Sequence, residues 1–459
     1  SEPARASRAG TRAGGMSEYL RQVRGFRRDI HLFLVYNLLV YVGWGVFTLI
    51  FNLYCTALHL HEDDIGAFNA AQTVAMAAGA VTMGPIIGRF GIWRSIVGGM
   101  AVFLAASTGL AVAEQRSALL ALSALSGFGV AYFSTTTMPF VIEWTRAHER
   151  QHVSAITYAA IGLAGTLGSL LGGLLPGVVG LGPVGAYRIT LLAGVVVAGL
   201  GVVPLAMMGA PRRGAAPPDA TALPEATEAR AKRQVRSDMG AFVLVGGLMA
   251  LGAGAVIPFY NVYLTTLGAS AEQVGYVFAL AGLGAATIGL AAPAVTRRYG
   301  ALWGGITVRL AGVPLFLVLI ATPALPVAVL AYVTRQTSTS MAWPIDSTFI
   351  AEVLPPRART AVFGYRSAAW NAGWAIASLA GGVAIVRFGY DVTFVAIALF
   401  MGLAMAVFAA YFLRHSRVQA GEVPSALPRG RRQAVARQRE AQAVAALVGL
   451  PVEAERGVE

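Results

Sequence analysis

The sequence predicts an all-α polytopic membrane protein with twelve transmembrane helices in two pseudo-symmetric bundles of six. Hydrophobic residues make up 56% of the chain, charged residues only 12%, and the mean hydropathy is +0.64, whereas a soluble domain carries about 25% charged residues. An internal repeat is the second observation, with equivalent residues 209 positions apart: Asn52 and Asn261, Gly66 and Gly275, Gly91 and Gly300. This constant register indicates two halves of common origin.

Twelve apolar segments form the predicted spans, each near the ~20 residues that a helix needs to cross ~30 Å of hydrocarbon. The first bundle, residues 30–209, contains the segments 32–55, 66–88, 95–113, 118–142, 153–180 and 189–209. The second, residues 239–413, contains 239–264, 274–296, 302–322, 326–351, 361–386 and 392–413. We expect helices because a helix satisfies its own backbone groups in lipid.

Three polar regions flank or separate the predicted bundles. Residues 1–29 form a basic tail with seven arginines, residues 210–238 a linker dominated by proline, alanine and charge, and residues 414–459 a second basic tail. Within the second tail, residues 431–448 have the spacing of a short surface-lying helix, and disorder is the alternative. None of the three regions is predicted to be a folded domain.

The placement of arginine predicts the orientation in the membrane. Both tails and the linker share one side with most loop arginines: Arg89, Arg94, Arg146, Arg150, Arg297, Arg298, Arg357 and Arg359. The other side has Arg116, Arg188 and Arg387. The positive-inside rule therefore places both termini in the cytoplasm, and we expect a bacterial inner membrane. Basic loops beside anionic lipid account for the net charge of +13, so no nucleic-acid partner is predicted.

Several classes of protein are disfavoured by what the sequence contains. Cys55 is the single cysteine, which excludes an intrachain disulfide and a multi-thiolate metal site. The six histidines are scattered over flanks, loops and tails, so no metal site is predicted. The sequence contains no phosphate-binding loop of the Gly-x-x-x-x-Gly-Lys-Ser/Thr kind. We therefore expect neither an enzyme nor a cofactor, and transport would draw on a gradient.

The loop between the second and third predicted spans carries the most specific motif. The motif Gly-x-x-x-Asp-Arg-x-Gly-Arg-Arg/Lys is retained here at Gly84, Arg89 and Gly91, and a basic residue, Arg94, directly follows it. Gly88 replaces the aspartate and Ile92 replaces one arginine. With the six-plus-six topology and the repeat, residues 30–413 resemble the major facilitator superfamily. The resemblance implies a secondary transporter that works by alternating access between two rocking bundles.

The same loops supply the predicted gating residues. Arg89, Arg94 and Arg298 lie at the inner ends of spans, and Glu143 and Glu352 are the expected carboxylate partners. Inner ion pairs of this kind would form when the cytoplasmic side is closed and break when it opens. The alternative is that all five are solvated loop charges worth less than ~1 kcal/mol each.

Ionisable residues inside the spans are the sharpest functional signal, because burying one costs at least ~2.5 kcal/mol at mid-membrane. Four lie well inside: Arg309, Arg335, Asp346 and Arg366. We expect a structural ion pair between Asp346 and Arg366 across the hairpin of spans ten and eleven. Arg335 is then left without an acidic partner, which favours binding of a substrate carboxylate or phosphate. The alternative is that Arg335 snorkels or bonds neighbouring hydroxyl groups.

Aromatic and polar residues at comparable positions of the two halves complete the predicted substrate site: Tyr41, Trp44, Tyr132, Thr136, Thr339, Trp370, Asn371 and Trp374. Pro139 and Pro344 interrupt spans four and ten, and interrupted helices in both halves are typical of a midplane site. Such a wall suits a solute with an apolar body and one charged or polar group.

Small residues recur in spans five and eleven, including Gly173 and Gly382, and predict close helix packing. Ser169 follows Gly168 where the proton-driven drug antiporters of the family have proline, which disfavours that subclass. The predicted function is transport of a small organic solute, anionic or amphipathic, by a monomer, with coupling to a proton or ion gradient left open. The alternatives are a drug or lipid exporter and a non-transporting receptor or assembly factor.

Overall fold

Long helices form the whole regular structure of the described residues, which in this computed structural model are 27–145, 150–208, 228–423 and 426. The first half contains α1 (Arg28–Ala57), α2 (Glu62–Phe90), α3 (Ile92–Val112), α4 (Arg116–Thr135 and Thr137–Trp144), α5 (Arg150–Val178) and α6 (Pro183–Leu200 and Val202–Ala206). The second half contains α7 (Glu228–Val256, Ile257–Phe259 and Tyr260–Thr266), α8 (Ala271–Ile288, then the 3₁₀ turn Gly289–Ala291), α9 (Ala292–Leu310 and Val313–Ala321), α10 (Leu325–Val353), α11 (Pro356–Phe388) and α12 (Asp391–Phe412). A short helix, α13 (Ser416–Gln419), follows α12.

Eleven of the spans in the described part of the chain are long and apolar enough to cross a membrane. The remaining span, α10, has 29 residues, which is ample for ~30 Å of hydrocarbon. Its sequence includes Arg335, Asp346 and Glu352, and these charges lower its hydropathy. Since charged residues in a membrane helix face the protein interior, the polar character of α10 indicates that it lines the functional site.

The internal repeat is visible in the backbone. Gly91, between α2 and α3, has φ and ψ of 81° and 159°, and Gly300, 209 residues later, has 79° and 163°. Positive φ carries no steric penalty for glycine because it lacks a Cβ. The helix Ala292–Leu310 therefore changes direction at Gly300, so that its first turns continue α8. The same tight turn ends the second span of each half, and the predicted two-half, all-α architecture is confirmed.

The buried apolar side chains form separate cores at the two ends of the molecule. We call the end with the turns that carry Arg89 and Arg298 the arginine-rich face, and the other end the opposite face. At the arginine-rich face each half has its own core, represented by Phe33 and Phe140 in the first half and by Phe242 and Phe412 in the second. At the opposite face one core joins both halves: Tyr54, Phe68, Phe259, Tyr260 and Phe316. The halves are therefore packed together at the opposite face.

A buried polar cluster fastens the end of α12 to the beginning of α7. Asp238 is 2% exposed and accepts hydrogen bonds from Gln234 Nε2 at 2.9 Å and Tyr411 Oη at 2.7 Å. His415 Nε2 lies 3.2 Å from the same carboxylate oxygen. Since buried polar atoms must be paired, this cluster fixes the chain that leaves α12.

Replacing Asp238 by alanine is expected to lower the free energy of unfolding by about 2 kcal/mol, because Tyr411 and Gln234 then lose a buried acceptor. The measurement is the melting temperature of the purified protein. Glu422→Ala serves as the control, because its partner Arg417 is 43% exposed at the side chain and exposed pairs contribute little. Equal melting temperatures for the two variants would contradict a structural role for the cluster.

Candidate functional site

At the opposite face the halves meet through glycines related by the repeat. Gly66 of α2 lies against Gly382 of α11, and Gly275 of α8 lies against Gly173 of α5. A Cβ on Gly275 would stand 2.8 Å from the Cα of Gly173, and the reverse distance is also 2.8 Å. Because backbone meets backbone here, each contact requires a residue without a side chain. The two symmetric contacts close this face.

Amide side chains add a second seal between α1 and α7. Asn52 Nδ2 donates to the carbonyl of Pro258 and lies 3.3 Å from Asn261 Oδ1. Asn261 Nδ2 in turn donates to the carbonyl of Leu49 at 2.7 Å. Both asparagines are buried, and each is the repeat equivalent of the other. The bonds therefore join the two halves across their pseudo-symmetry axis.

A phenol and a carboxylate join the halves at the rim of the opposite face. Tyr390, between α11 and α12, donates from its hydroxyl to Glu62 of α2 at 2.8 Å. Burial, and then the neighbouring Glu62 carboxylate, raise the pKa of Tyr390 well above its ordinary value. The phenol consequently remains a neutral donor at physiological pH, and this contact persists while the opposite face is closed.

The arginine-rich face lacks comparable close contacts at three glycines of helices that meet at the opposite face. Gly84 and Gly88 of α2 and Gly364 of α11 have open space within 4 Å of the position where a Cβ would stand. The same two helices are in backbone contact at Gly66 and Gly382. α2 and α11 therefore diverge toward the arginine-rich face, and the interior opens on that side.

The predicted gating residues lie around this opening. Arg89 and Arg298 are exposed, and each guanidinium lies over the ring of the next residue, at 5.4 Å and 5.3 Å from the ring centroid. Arg94 is exposed and Glu352 is half-buried. The side chain of Glu143 lies outside the described residues. Each arginine stacks on the residue that follows it, so the two positions, which are 209 residues apart, have the same local arrangement.

A cavity of about 440 Å³ lies between the halves and is lined mainly by the second half. Its wall contains Met76, Met249, Arg309, Thr339, Ala342, Trp343, Asp346, Phe363, Arg366, Ser367, Trp370 and Asn371. Half of these side chains are apolar or aromatic, and the charged ones form one cluster. This combination of an apolar wall with a few convergent polar groups is typical of a small-molecule site.

The charged cluster consists of one carboxylate between two guanidinium groups. Asp346 Oδ1 accepts from Arg309 Nη2 and Asp346 Oδ2 accepts from Arg366 Nη2. Arg309 Nη1 donates to the carbonyl of Gly305 at 3.1 Å. All three charged residues are buried, and the cluster carries one surplus positive charge. Among the described residues, Arg309 Nε and Arg366 Nη1 are buried without a hydrogen-bond partner, so two N–H groups remain unsatisfied.

A smaller cavity of about 230 Å³ lies beside the first, toward the opposite face. Four amide side chains line it together with aromatic rings: Asn52, Asn69, Gln72, Asn261, Trp44, Phe47, Phe51, Phe278 and Trp374. Trp374 stacks on Trp370 of the larger cavity, with ring centroids 6.2 Å apart and an interplanar angle of 25°. The two cavities therefore adjoin along α11, and the asparagine seal ends the smaller one.

Seven of the predicted site residues line these cavities. The larger cavity includes Thr339, Asp346, Arg366, Trp370 and Asn371, and the smaller one includes Trp44 and Trp374. The other lining residues were not predicted from the sequence to belong to the substrate site. Arg309 and Trp343 are the most important of them. Trp343 lies under Arg366, with the guanidinium carbon 5.6 Å from the ring centroid, which holds that arginine in place.

Three predicted residues of the first half lie outside both cavity linings. Tyr41 packs edge-on against Phe133, with ring centroids 5.7 Å apart. Tyr132 is buried, and its hydroxyl lies 3.1 Å from that of Thr82. Thr136 marks the break in α4, and its hydroxyl donates to the carbonyl of Tyr132. These side chains are occupied by packing and by local hydrogen bonds.

Arg335 also lines neither cavity. Its backbone lies against Gly312, where α9 is interrupted, and its Nη1 contacts Gln336 Oε1 at 3.3 Å. Arg309 and Arg366 line the larger cavity, whereas the anion-binding role of Arg335 stays a prediction. The sequence marked Arg309 as an intramembrane charge, and the adjacency of α9 and α10 in the chain is the signal that could have paired it with Asp346.

Comparison with known proteins agrees with this architecture. The model of the Major Facilitator Superfamily matches residues 33–338 and again 242–451. No curated protein sequence matches the chain. Among solved structures, a bacterial homolog of the human lysosomal transporter Spinster, inward-facing and unoccupied, superposes with a TM-score of 0.67 at 16% identity, over 83% of this chain and 95% of that one.

Two further solved structures have the same fold. A mutant of the nucleoside transporter NupG gives a TM-score of 0.66 at 14% identity, over 84% of this chain and 100% of that one. A D-xylose–proton symporter gives 0.63 at 14% identity, over 83% and 96%. The family matches together extend over both six-helix halves. The chain belongs to the Major Facilitator Superfamily, whose members are transporters of the secondary or facilitated type.

Proposed function

We propose that this protein carries a small organic anion across the cytoplasmic membrane by alternating access. The observation that supports the proposal is the surplus positive charge in the larger cavity. Arg309 and Arg366 share the single carboxylate of Asp346, and each keeps a buried N–H group without a partner among the described residues. Because an unpaired buried charge is costly, a ligand that brings one negative charge would be bound strongly.

The chemistry of the wall suits a carboxylate or phosphate attached to an apolar body. Guanidinium groups hold such anions in directional, charge-assisted hydrogen bonds. Trp343 and Trp370 flank the cluster and offer ring faces, while Thr339 and Asn371 line the same wall. Since both carboxylate oxygens of Asp346 are already bonded to guanidinium groups, we assign Asp346 the role of an anchor that orients the two arginines.

The closed and open faces support the alternating-access part of the proposal. With the arginine-rich face in the cytoplasm, as the positive-inside rule expects, the conformation corresponds to an inward-open carrier. Opening of the opposite face would separate Gly66 from Gly382 and Asn52 from Asn261. In the same transition we propose that Arg89, Arg94 and Arg298 form ion pairs with Glu143 and Glu352 as the inner ends close.

The proposal is tested by thermal shift of the purified protein with organic anions and with neutral amide analogues of equal size. A ligand at 100 times its Kd stabilises by about 2.7 kcal/mol through mass action. We expect anions to raise the melting temperature of the wild type. The melting temperature of Arg309→Gln should not change with anions, because the charged cluster of that variant is neutral.

Arg335→Gln is the matched control, since it also removes an intramembrane arginine, but one that is half-buried and outside the cavity linings, and it should keep the anion response. Stabilisation of wild type and Arg309→Gln by the same neutral or cationic compounds would overturn the proposal. If Arg335→Gln loses the anion response while Arg309→Gln keeps it, the anion binds at Arg335 and not at the charged cluster.

A further inference from the structure

A groove of about 380 Å³ lies in the first half, between the last turns of α2, the first half of α3 and the middle of α4, toward the arginine-rich face. It shares no lining residue with the two central cavities. Ile86, Val102 and Phe128 form its apolar walls. Phe90 at its rim is 50% exposed. On a protein that crosses a bilayer, such an exposed apolar groove is open to lipid.

Two consecutive glycines of α3 create the hollow. Gly99 lies against the Cβ of Tyr132, so α3 and α4 are in contact at the base of the groove. A Cβ on Gly98 would meet nothing within 4 Å. The empty volume therefore results from missing side chains and not from separated helices.

The second half of the molecule provides an internal comparison. At the positions 209 residues beyond Arg94, Gly98 and Gly99 stand Trp303, Thr307 and Val308. Three side chains thus occupy the equivalent region of α9, and the arginine is replaced by an aromatic residue. The fold does not require the groove, which is a feature of the first half.

The mouth of the groove carries positive charge. Arg94 lines it and is exposed, and Arg89 lies one residue before Phe90 on the rim. An apolar trough that ends in a cation is complementary to an acyl chain joined to an anionic headgroup, because juxtamembrane arginines attract anionic lipids. We propose that this groove binds one anionic phospholipid of the adjoining leaflet, with an acyl chain along Gly98 and the phosphate on Arg94.

Native mass spectrometry of the purified protein tests the proposal, with phosphatidylglycerol and phosphatidylcholine of identical acyl chains as probes. We expect the wild type to retain one phosphatidylglycerol in preference to phosphatidylcholine. Arg94→Trp, which copies the second half, should weaken phosphatidylglycerol about fivefold and remove the preference. Gly98→Leu, for which the backbone has room, should reduce retention of both lipids by filling the trough.

Arg387→Ala is the control, because Arg387 is exposed at the opposite face and its loss should leave retention unchanged. Equal retention of the two lipids by the wild type would mean annular lipid only and would overturn the proposal. So would unchanged retention in both Arg94→Trp and Gly98→Leu. Since lipid retention is measured without solute, its outcome is independent of the proposed transport of an anion.

Discussion

Asp346→Asn is expected to lower the free energy of unfolding by about 3–5 kcal/mol, the usual cost of removing one partner of a buried ion pair. Arg309 and Arg366 would then face each other in the same cavity without the carboxylate that both contact. An anion entering the cavity can replace that carboxylate. We therefore expect acetate or a larger organic anion to raise the melting temperature of Asp346→Asn by more than it raises that of the wild type.

The double variant Asp346→Asn with Arg309→Gln distinguishes the effect of surplus charge on stability from the effect of altered packing. It restores the single surplus charge of the wild type, so we expect it to be more stable than Asp346→Asn alone and to respond less to anions. Because the substituted residues are in contact, the coupling energy of the cycle should be large. Additive effects of the two substitutions, or an Asp346→Asn variant as stable as the wild type without anion, would contradict this account of the cluster.

The architecture was predictable from the sequence because apolarity and the repeat are properties of the whole chain. The contact of Asp346 with Arg366 was also within reach, since α10 and α11 are consecutive and their hairpin fixes the relative depth of the two residues. By the same reasoning the contact with Arg309 was within reach too, since α9 and α10 are also consecutive, although only the pair with Arg366 was predicted. The sequence left open whether Asp346 pairs with one of these arginines or with both, because that depends on how the side chains are oriented within the bundle.

A second limit of prediction from the sequence concerns which face of each membrane helix lines a cavity. In a helix that is apolar all round, periodicity does not distinguish the side that lines a cavity from the side that packs on a neighbour. Tyr132 and Thr136 were therefore expected in the site, but their hydroxyl groups have partners at Thr82 and on the helix backbone. Hydroxyl residues bonded to a carbonyl of the preceding turn are satisfied without any ligand.

A third limit of prediction from the sequence concerns the conformational state, as the glycine contacts show. Their spacing in α5 and α11 predicted close packing, and Gly173 and Gly382 are indeed packed. Their partners, Gly275 and Gly66, lie in the other half of the molecule. In the proposed alternating-access cycle, a contact between the two halves would exist in one state, and a sequence does not specify which state is populated.

Gly173→Val is expected to destabilise closure of the opposite face and to reduce transport about fivefold or more. The new Cβ would stand 2.8 Å from the Cα of Gly275, and a backbone atom cannot move aside as the end of a side chain can. Overpacking of this kind costs about 1–3 kcal/mol. Since 1.4 kcal/mol changes a population ratio tenfold, the ratio of closed to open molecules at this face should fall by about five- to 140-fold.

Gly177→Val provides the matched control, because Gly177 lies one turn further along α5 and a Cβ there would meet nothing within 4 Å. Accessibility is measured with Thr48→Cys in a Cys55→Ala background, since Thr48 lines the smaller cavity beneath the seal. A membrane-impermeant maleimide added at the opposite face should label Gly173→Val faster than Gly177→Val.

Gly382→Val should reproduce the effect of Gly173→Val, because a Cβ on Gly382 would meet the backbone of Glu62 and Asp63 at the start of α2 in the symmetric contact. This second variant distinguishes a seal formed by both pairs from a local defect in α5. If Gly173→Val increases labelling and Gly382→Val does not, only one pair limits opening. If neither changes labelling while both reduce transport, the glycines act on packing within each half, and the opposite face must be held closed by the asparagine bonds of α1 and α7.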